Sequence, residues 1–127
     1  MFFWRNRDMD VFSEEILYHY KHPQCSAPLI SPTYEATGEN VSCGDMVSVT
    51  LSCDHDTVHD VGIVVSGCAI STAFGSLVAL AVKGRTREEV LSWDDAHILS
   101  LVDGEVSPAR KNCAFLAFRA LRKALLK

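Results

Sequence analysis

The 127-residue sequence has no closely spaced cysteine pair, no dense basic tract, no internal repeat and no low-complexity segment. Each absence removes a class. Zinc ribbons and fingers need short cysteine spacings, and here Cys43, Cys68 and Cys113 stand 25 and 45 residues apart. Twelve Lys and Arg against sixteen Asp and Glu leave a formal charge of −4 with a pI near 5.7, which gives no footprint for a phosphate backbone. Nucleic acid is therefore not an expected partner, and the only basic concentration lies near the C-terminus. The opening Met1-Phe-Phe-Trp-Arg-Asn-Arg breaks a very short apolar run with charge and shows no small-residue cleavage pattern, so a cytoplasmic, reducing setting is the expectation.

A hydrophobic content of 48% in a chain of this length suffices for one real core, and a single soluble domain over residues 1–127 is expected. Val61 to Val82 runs for 22 residues without a charge, long enough to span a bilayer. Ser66-Gly67-Cys68 interrupts that run, Ser71, Thr72, Gly75 and Ser76 dilute it, and its first part alternates like a strand. A buried strand followed by a buried helix is the better reading, with no membrane association.

Elsewhere the patterning is mixed. Phe12, Ile16, Leu17 and Tyr20 share a helical stripe, with Asp10 or Ser13 as cap and an end at His22-Pro23. Pro28, Pro32 and Gly38 mark a loop from Gln24 to Asn40, with an edge strand around Thr33 to Thr37. Val47, Val49, Leu51 and Cys53 alternate with Met46, Ser48, Thr50 and Ser52, and Val58 to Val65 returns after a four-residue connection, Asp54-His-Asp-Thr57. Ile70, Phe74, Leu77, Val78 and Ala81 follow helical spacing up to Lys83-Gly84. Thr86-Arg-Glu-Glu89 is a capping box, and another short helix follows Asp94-Asp95. A final helix beyond Pro108 sets Cys113, Leu116, Ala117, Ala120, Leu121 and Ala124 on one face and leaves Arg119, Arg122, Lys123 and Lys127 to solvent.

Five cysteines in a reducing compartment point to metal binding or catalysis before disulfides. Pairing Cys53 with Val58 across the hairpin, and carrying that register to its open end, sets Cys43 opposite Cys68, with Asp45 on the face of Cys43. Cys68 and Cys113 both fall at helix starts, where the positive end of the dipole favours thiolates. Arg110 and Lys111 oppose that dipole and fit better beside thiolates or a partner. Three thiolates and one carboxylate form a tetrahedral set soft enough for Zn²⁺ or iron–sulfur chemistry, and the harder oxygen ligand favours release.

Cys43-Gly-Asp45, Gly67-Cys68-Ala-Ile-Ser71, Lys83-Gly84, a cysteine at the start of the last helix, and Tyr18-His-Tyr-Lys-His-Pro23 together resemble the IscU/SufU/NifU N-terminal scaffold family. That resemblance implies an α+β fold, a three-stranded antiparallel sheet packed against several helices with the metal site at one end of the sheet. It also implies persulfide sulfur accepted from a cysteine desulfurase, with Cys43 and Cys113 as candidate acceptors. A transient [2Fe–2S] cluster would form on Cys43, Asp45, Cys68 and Cys113 and pass to apo iron–sulfur proteins or carriers, from a monomer or a dimer.

The resemblance has two branches. Asn112 stands where IscU-type members have histidine, and Val106-Ser-Pro-Ala-Arg110 replaces their chaperone motif, so dependence on a specialised Hsp70 is not expected. Pro108-Ala-Arg110 and Gly67-Cys-Ala-Ile-Ser71 look like SufU, whose members bind Zn²⁺ through the same four residues and relay sulfur. The SufU insertion before the last cysteine, however, is missing between Leu91 and Pro108. The expected protein is thus a scaffold and sulfur acceptor, or, if an enzyme, a sulfurtransferase.

Simpler assignments cover other residues. Cys53 continues the apolar face of its strand and reads as core. Cys25 reads as a loop thiol, and all five histidines read as solvated, with His97 the first substitute ligand should Asn112 cost the site one. The rival functions are a structural zinc interaction module and a dithiol redox protein using Cys43 and Cys68. A thiol hydrolase lacks any evident Cys–His–acid arrangement.

Overall fold

The structure is a computed structural model and describes residues 14–41, 44–102 and 106–127. Its elements are α1 (Glu14–Lys21), β1 (Tyr34–Asn40), β2 (Asp45–Asp54), β3 (Thr57–Ser66), α2 (Ala69–Val82), α3 (Arg87–Leu91), α4 (Asp95–Leu99), a 3₁₀ turn (Pro108–Arg110) and α5 (Lys111–Leu125). The strands form one antiparallel sheet in the order β1-β2-β3. This is the α+β arrangement that the family resemblance implied.

Alternation along β2 buries Asp45, Val47, Val49 and Leu51 on one face and leaves Met46 in solvent on the other. Helix α5 packs on the buried face against β1 and β2, and α2 packs against β3, α1 and α5. Enclosed by those neighbours, α2 is apolar nearly all round and buries Ile70, Ala73, Phe74, Val78 and Val82. Phe74, Phe118, Ile16, Leu51, Ile98 and Leu121 are among the largest wholly buried side chains. Each contributes about 1.5–3 kcal/mol from apolar area removed from water. Among the described residues no helix is long and apolar enough to cross a membrane. The charge-free run divides into the second half of β3, a short link and α2.

Several boundaries differ from the sequence reading. The edge strand runs from Tyr34 to Asn40, further along than Thr33 to Thr37, because its seven residues pair continuously with Asp45 to Leu51. The hairpin connection is two residues, His55 and Asp56, and His55 supports the tight turn with φ of 59°. Tyr20, placed on the apolar stripe of α1, is exposed, and Ile16 alone of that stripe's described members is fully buried. Phe12 and both proposed caps, Asp10 and Ser13, lie outside the described residues. The N-cap half of the capping box is present, with the Glu89 N–H donating to Thr86 Oγ1 at 3.1 Å, while the Glu89 carboxylate accepts from Arg85 Nη1 at 3.1 Å.

The register also changes along the hairpin. Cys53 does face Val58, but Ser52 faces Asp60, so His59 is an extra residue on β3 and bulges out of the ladder. Beyond the bulge every pairing moves by one, and the ladder ends with Met46 opposite Ser66. Extending the Cys53–Val58 register to the open end is therefore wrong by one residue, and the extrapolation that set Cys43 opposite Cys68 fails with it. Cys43 itself lies outside the described residues.

Between α1 and β1 the chain straps the far side of the hairpin. The Ile63 N–H donates to the Cys25 carbonyl at 2.8 Å, and the Leu29 N–H donates to Thr50 Oγ1 at 3.0 Å. Gly62 makes this possible, since a Cβ there would sit 2.2 Å from the Ala27 carbonyl oxygen.

Candidate metal centre

At the open end of the hairpin, the start of β2, the end of β3, and the starts of α2 and α5 converge. Asp45 opens β2, Cys68 is the N-cap of α2, and Cys113 lies in the first turn of α5. The ligand atoms of these three residues all lie within 4.8 Å of one another. A tetrahedral ion with bonds of ~2.3 Å needs sulfur–sulfur edges of ~3.8 Å, so the three fit one ion after a shift of about 1 Å. Asp45 is 3% exposed and Cys113 7% exposed, while Cys68 is half-buried. The donor set, two sulfurs and a carboxylate, suits Zn²⁺ or iron.

Asp45 is fastened as well as placed. Its Oδ1 accepts the Cys68 N–H at 3.2 Å, and its Oδ2 accepts the Ser71 hydroxyl proton. Ser71, 1% exposed, also meets Cys68: its N–H donates to Cys68 Sγ at 3.5 Å, and its Oγ lies 3.4 Å from that sulfur. The carboxylate thus supplies the negative charge that a helix start prefers and satisfies a donor there. Gly67 leaves room for it, because a Cβ on Gly67 would lie 2.5 Å from Asp45 Cγ.

Of the sequence-derived site residues, the structure brings together Asp45, Cys68 and Cys113. Among the described residues no histidine joins that group. His97, the candidate substitute, stacks on Trp93 with ring centroids 4.3 Å apart. Asn112 is exposed, and its Oδ1 accepts from Arg119 Nη1 at 3.4 Å. Cys53 packs against the core edge, and burial pushes its thiol pKa up, with nearby Arg87 opposing. Cys25, at φ of 54°, is half-buried within the strap.

Ser71 is the site residue whose role sequence reasoning missed. Its position three residues after Cys68 was visible, since that spacing returns a side chain to the N-cap. A second missed contact joins α1 to α2. The Gln24 N–H donates to Ser76 Oγ at 2.8 Å, and the same hydroxyl is hydrogen-bonded to His19 Nδ1 at 2.6 Å. Burial lowers the His19 pKa against an opposing pull from Glu15. His19 was read as solvated; it is half-buried and bonded.

Comparison with known proteins converges on one family. Residues 11–127 match the family model of the NifU-like N terminal domain. The chain is 29% identical to the zinc-dependent sulfurtransferase SufU of Bacillus subtilis, over 96% of this chain and 95% of that one. It is 33% identical to the iron–sulfur cluster assembly scaffold protein IscU of Streptococcus pyogenes, over 68% of this chain and 65% of that one. Among solved structures, a SUF-system scaffold protein from Fervidobacterium islandicum superimposes with a TM-score of 0.79 at 23% identity, covering 93% of this chain and 98% of that one. A NifU-like N-terminal protein from Brucella abortus does so with a TM-score of 0.77, also at 23% identity, over 92% and 93% of the two chains. These likenesses establish the fold.

Proposed function

The chain belongs to the NifU-like N-terminal domain family, and from that premise we propose that it is an iron–sulfur cluster assembly scaffold. In this reading it takes persulfide sulfur from a cysteine desulfurase, builds a [2Fe–2S] cluster on Cys43, Asp45, Cys68 and Cys113, and releases it to apoproteins or carriers. The observation that carries the reading is the convergence of Asp45, Cys68 and Cys113 within 4.8 Å.

Sulfur loading asks little of the protein beyond an available thiolate. The thiolate of Cys43 or Cys113 attacks the terminal sulfur of the partner's persulfide. The sulfur–sulfur bond breaks, the partner's cysteine leaves as a thiolate, and the new persulfide keeps the proton. Cys68 and Asp45, tied together at the start of α2, keep the receiving end of the site in place while cluster components arrive. Asp45, the one oxygen donor among sulfurs, binds a soft cargo least firmly and is the point at which the cluster loosens.

Incubation with a cysteine desulfurase and cysteine, followed by alkylation and mass mapping, tests sulfur loading. Persulfide on Cys43 or Cys113 is expected; no persulfide, and no stimulated sulfur release, defeats the reading. Anaerobic addition of iron and sulfide tests assembly. A visible-absorbing cluster that persists longer in Asp45→Ala supports the scaffold.

A second reading, a SufU-type zinc sulfurtransferase, is favoured by the near full-length match to the Bacillus subtilis protein. The same residues would hold Zn²⁺, which would keep the thiols deprotonated until a sulfur donor arrives. One firmly held zinc per chain, with no cluster on reconstitution, selects this reading.

A further inference from the structure

We propose that Ser71 is a positioning residue for the metal centre, holding the Asp45 carboxylate in the orientation from which it ligates. The inference rests on the reading of Asp45, Cys68 and Cys113 as metal ligands and extends it to a residue that binds no metal itself.

The hydroxyl of Ser71 has one proton, and the structure directs it to Asp45 Oδ2. The other carboxylate oxygen accepts the Cys68 N–H at 3.2 Å. Both oxygens are thereby fixed against the first turn of α2, and a carboxylate that would otherwise rotate freely about its last bond has one orientation. A carboxylate oxygen has two lone pairs, so ligation through one of them is compatible with a hydrogen bond to that same oxygen. Hydrogen bonding of this kind restricts a carboxylate ligand to a defined approach and removes ordering that metal binding would otherwise have to supply.

Burial makes Ser71 specific for this role. At 1% exposure its hydroxyl has no solvent to turn to, and its neighbours at the site are the two ligands Asp45 and Cys68. An ordinary first-turn serine would bond its own helix backbone. Here the helix N–H at position 71 is satisfied by Cys68 Sγ at 3.5 Å, and the hydroxyl is spent on the carboxylate.

Zinc affinity, measured by competition with a chromophoric chelator, tests the proposal in wild type, Ser71→Ala, Asp45→Ala and the double variant. Ser71→Ala is expected to weaken zinc binding by ~10-fold or more, and to add nothing to Asp45→Ala, since the hydroxyl acts through that carboxylate. Ser71→Thr and Ser71→Val differ only in the hydroxyl. Thr is expected to hold zinc more tightly than Val by a similar factor, which keeps the test decisive should Ser71→Ala fold poorly. Cobalt(II) substitution should show altered ligand-field bands in Ser71→Ala with unchanged thiolate charge-transfer intensity.

Wild-type affinity in Ser71→Ala, equal affinities for Thr and Val, or an undiminished Ser71→Ala effect in the Asp45→Ala background would each overturn the proposal. If wild type binds no zinc and forms no cluster with iron and sulfide, or binds zinc as well after Cys68→Ala, the metal-centre reading itself fails, and that outcome is distinct from the others.

Discussion

The two helix starts that carry the described thiols are built differently. At α2, Cys68 caps the helix, Asp45 accepts its N–H, and Ser71 closes the network. At α5, a 3₁₀ turn leads in, no side chain caps the helix, and the first turn has no acid but does contain Lys111. One sulfur is thus anchored by another member of the candidate site. The other is presented from a helix start with no acid in its first turn and no side-chain cap of its own. The candidate centre therefore joins a half fastened through Asp45 and Ser71 to a half that no cap fastens.

Removing a thiol from either half gives the largest effect. Cys68→Ser and Cys113→Ala should each weaken zinc binding by more than ~100-fold, beyond the range for residues outside the ligand set. Without metal the two should part: serine caps helices well, so Cys68→Ser should melt at or slightly above the wild-type temperature. Retention of wild-type zinc affinity in either variant would remove that residue from the site.

Gly67→Ala tests the anchored half through the backbone. Its Cβ would meet Asp45 Cγ at 2.5 Å, and relieving that overlap should cost about 1–3 kcal/mol in urea unfolding of the apoprotein. An unchanged midpoint would show that Asp45 moves freely.

Lys111→Glu addresses the other half. It should stabilise the apoprotein by about 0.3–1 kcal/mol at low ionic strength, with the gain shrinking as salt rises. A loss of stability would mean that Lys111 is already balanced by a neighbour.

The smallest effect concerns how far along α2 the fastening extends. The folded His19 pKa lies below its free value because of burial. As pH falls below about 6.5, the unfolded chain takes up the proton first. The stability associated with neutral His19 is therefore complete above that pH and is lost as pH falls through the lower, folded value. His19→Gln should flatten this part of the stability profile, and an unaltered slope would assign it to other groups.

Much of this was legible in advance because the signals were local. The Thr86 cap, the place of Cys68 at a helix start and the alternation of β2 depend on residues within a few positions of each other, and each appears as read. The fold class followed from motif order, and so did the convergence of Asp45, Cys68 and Cys113. What escaped was long-range or a matter of one residue. The His59 bulge leaves no mark in an alternating pattern, yet it moves every pairing towards the open end. The bonds of Ser71 to Asp45 and of His19 to Ser76 join segments far apart in the chain, and neither partner advertises the other.

The strap over the hairpin also bears on how this sheet meets other chains. By using the Ile63 N–H and passing against Gly62, it closes part of the β3 edge that a foreign strand would need. The opposite edge is β1, only seven residues long and bearing the exposed Glu35 and Glu39. Growth of the sheet by addition of a foreign strand is thereby discouraged on both sides, which leaves faces and ends, not edges, as the surfaces of this sheet open to other chains.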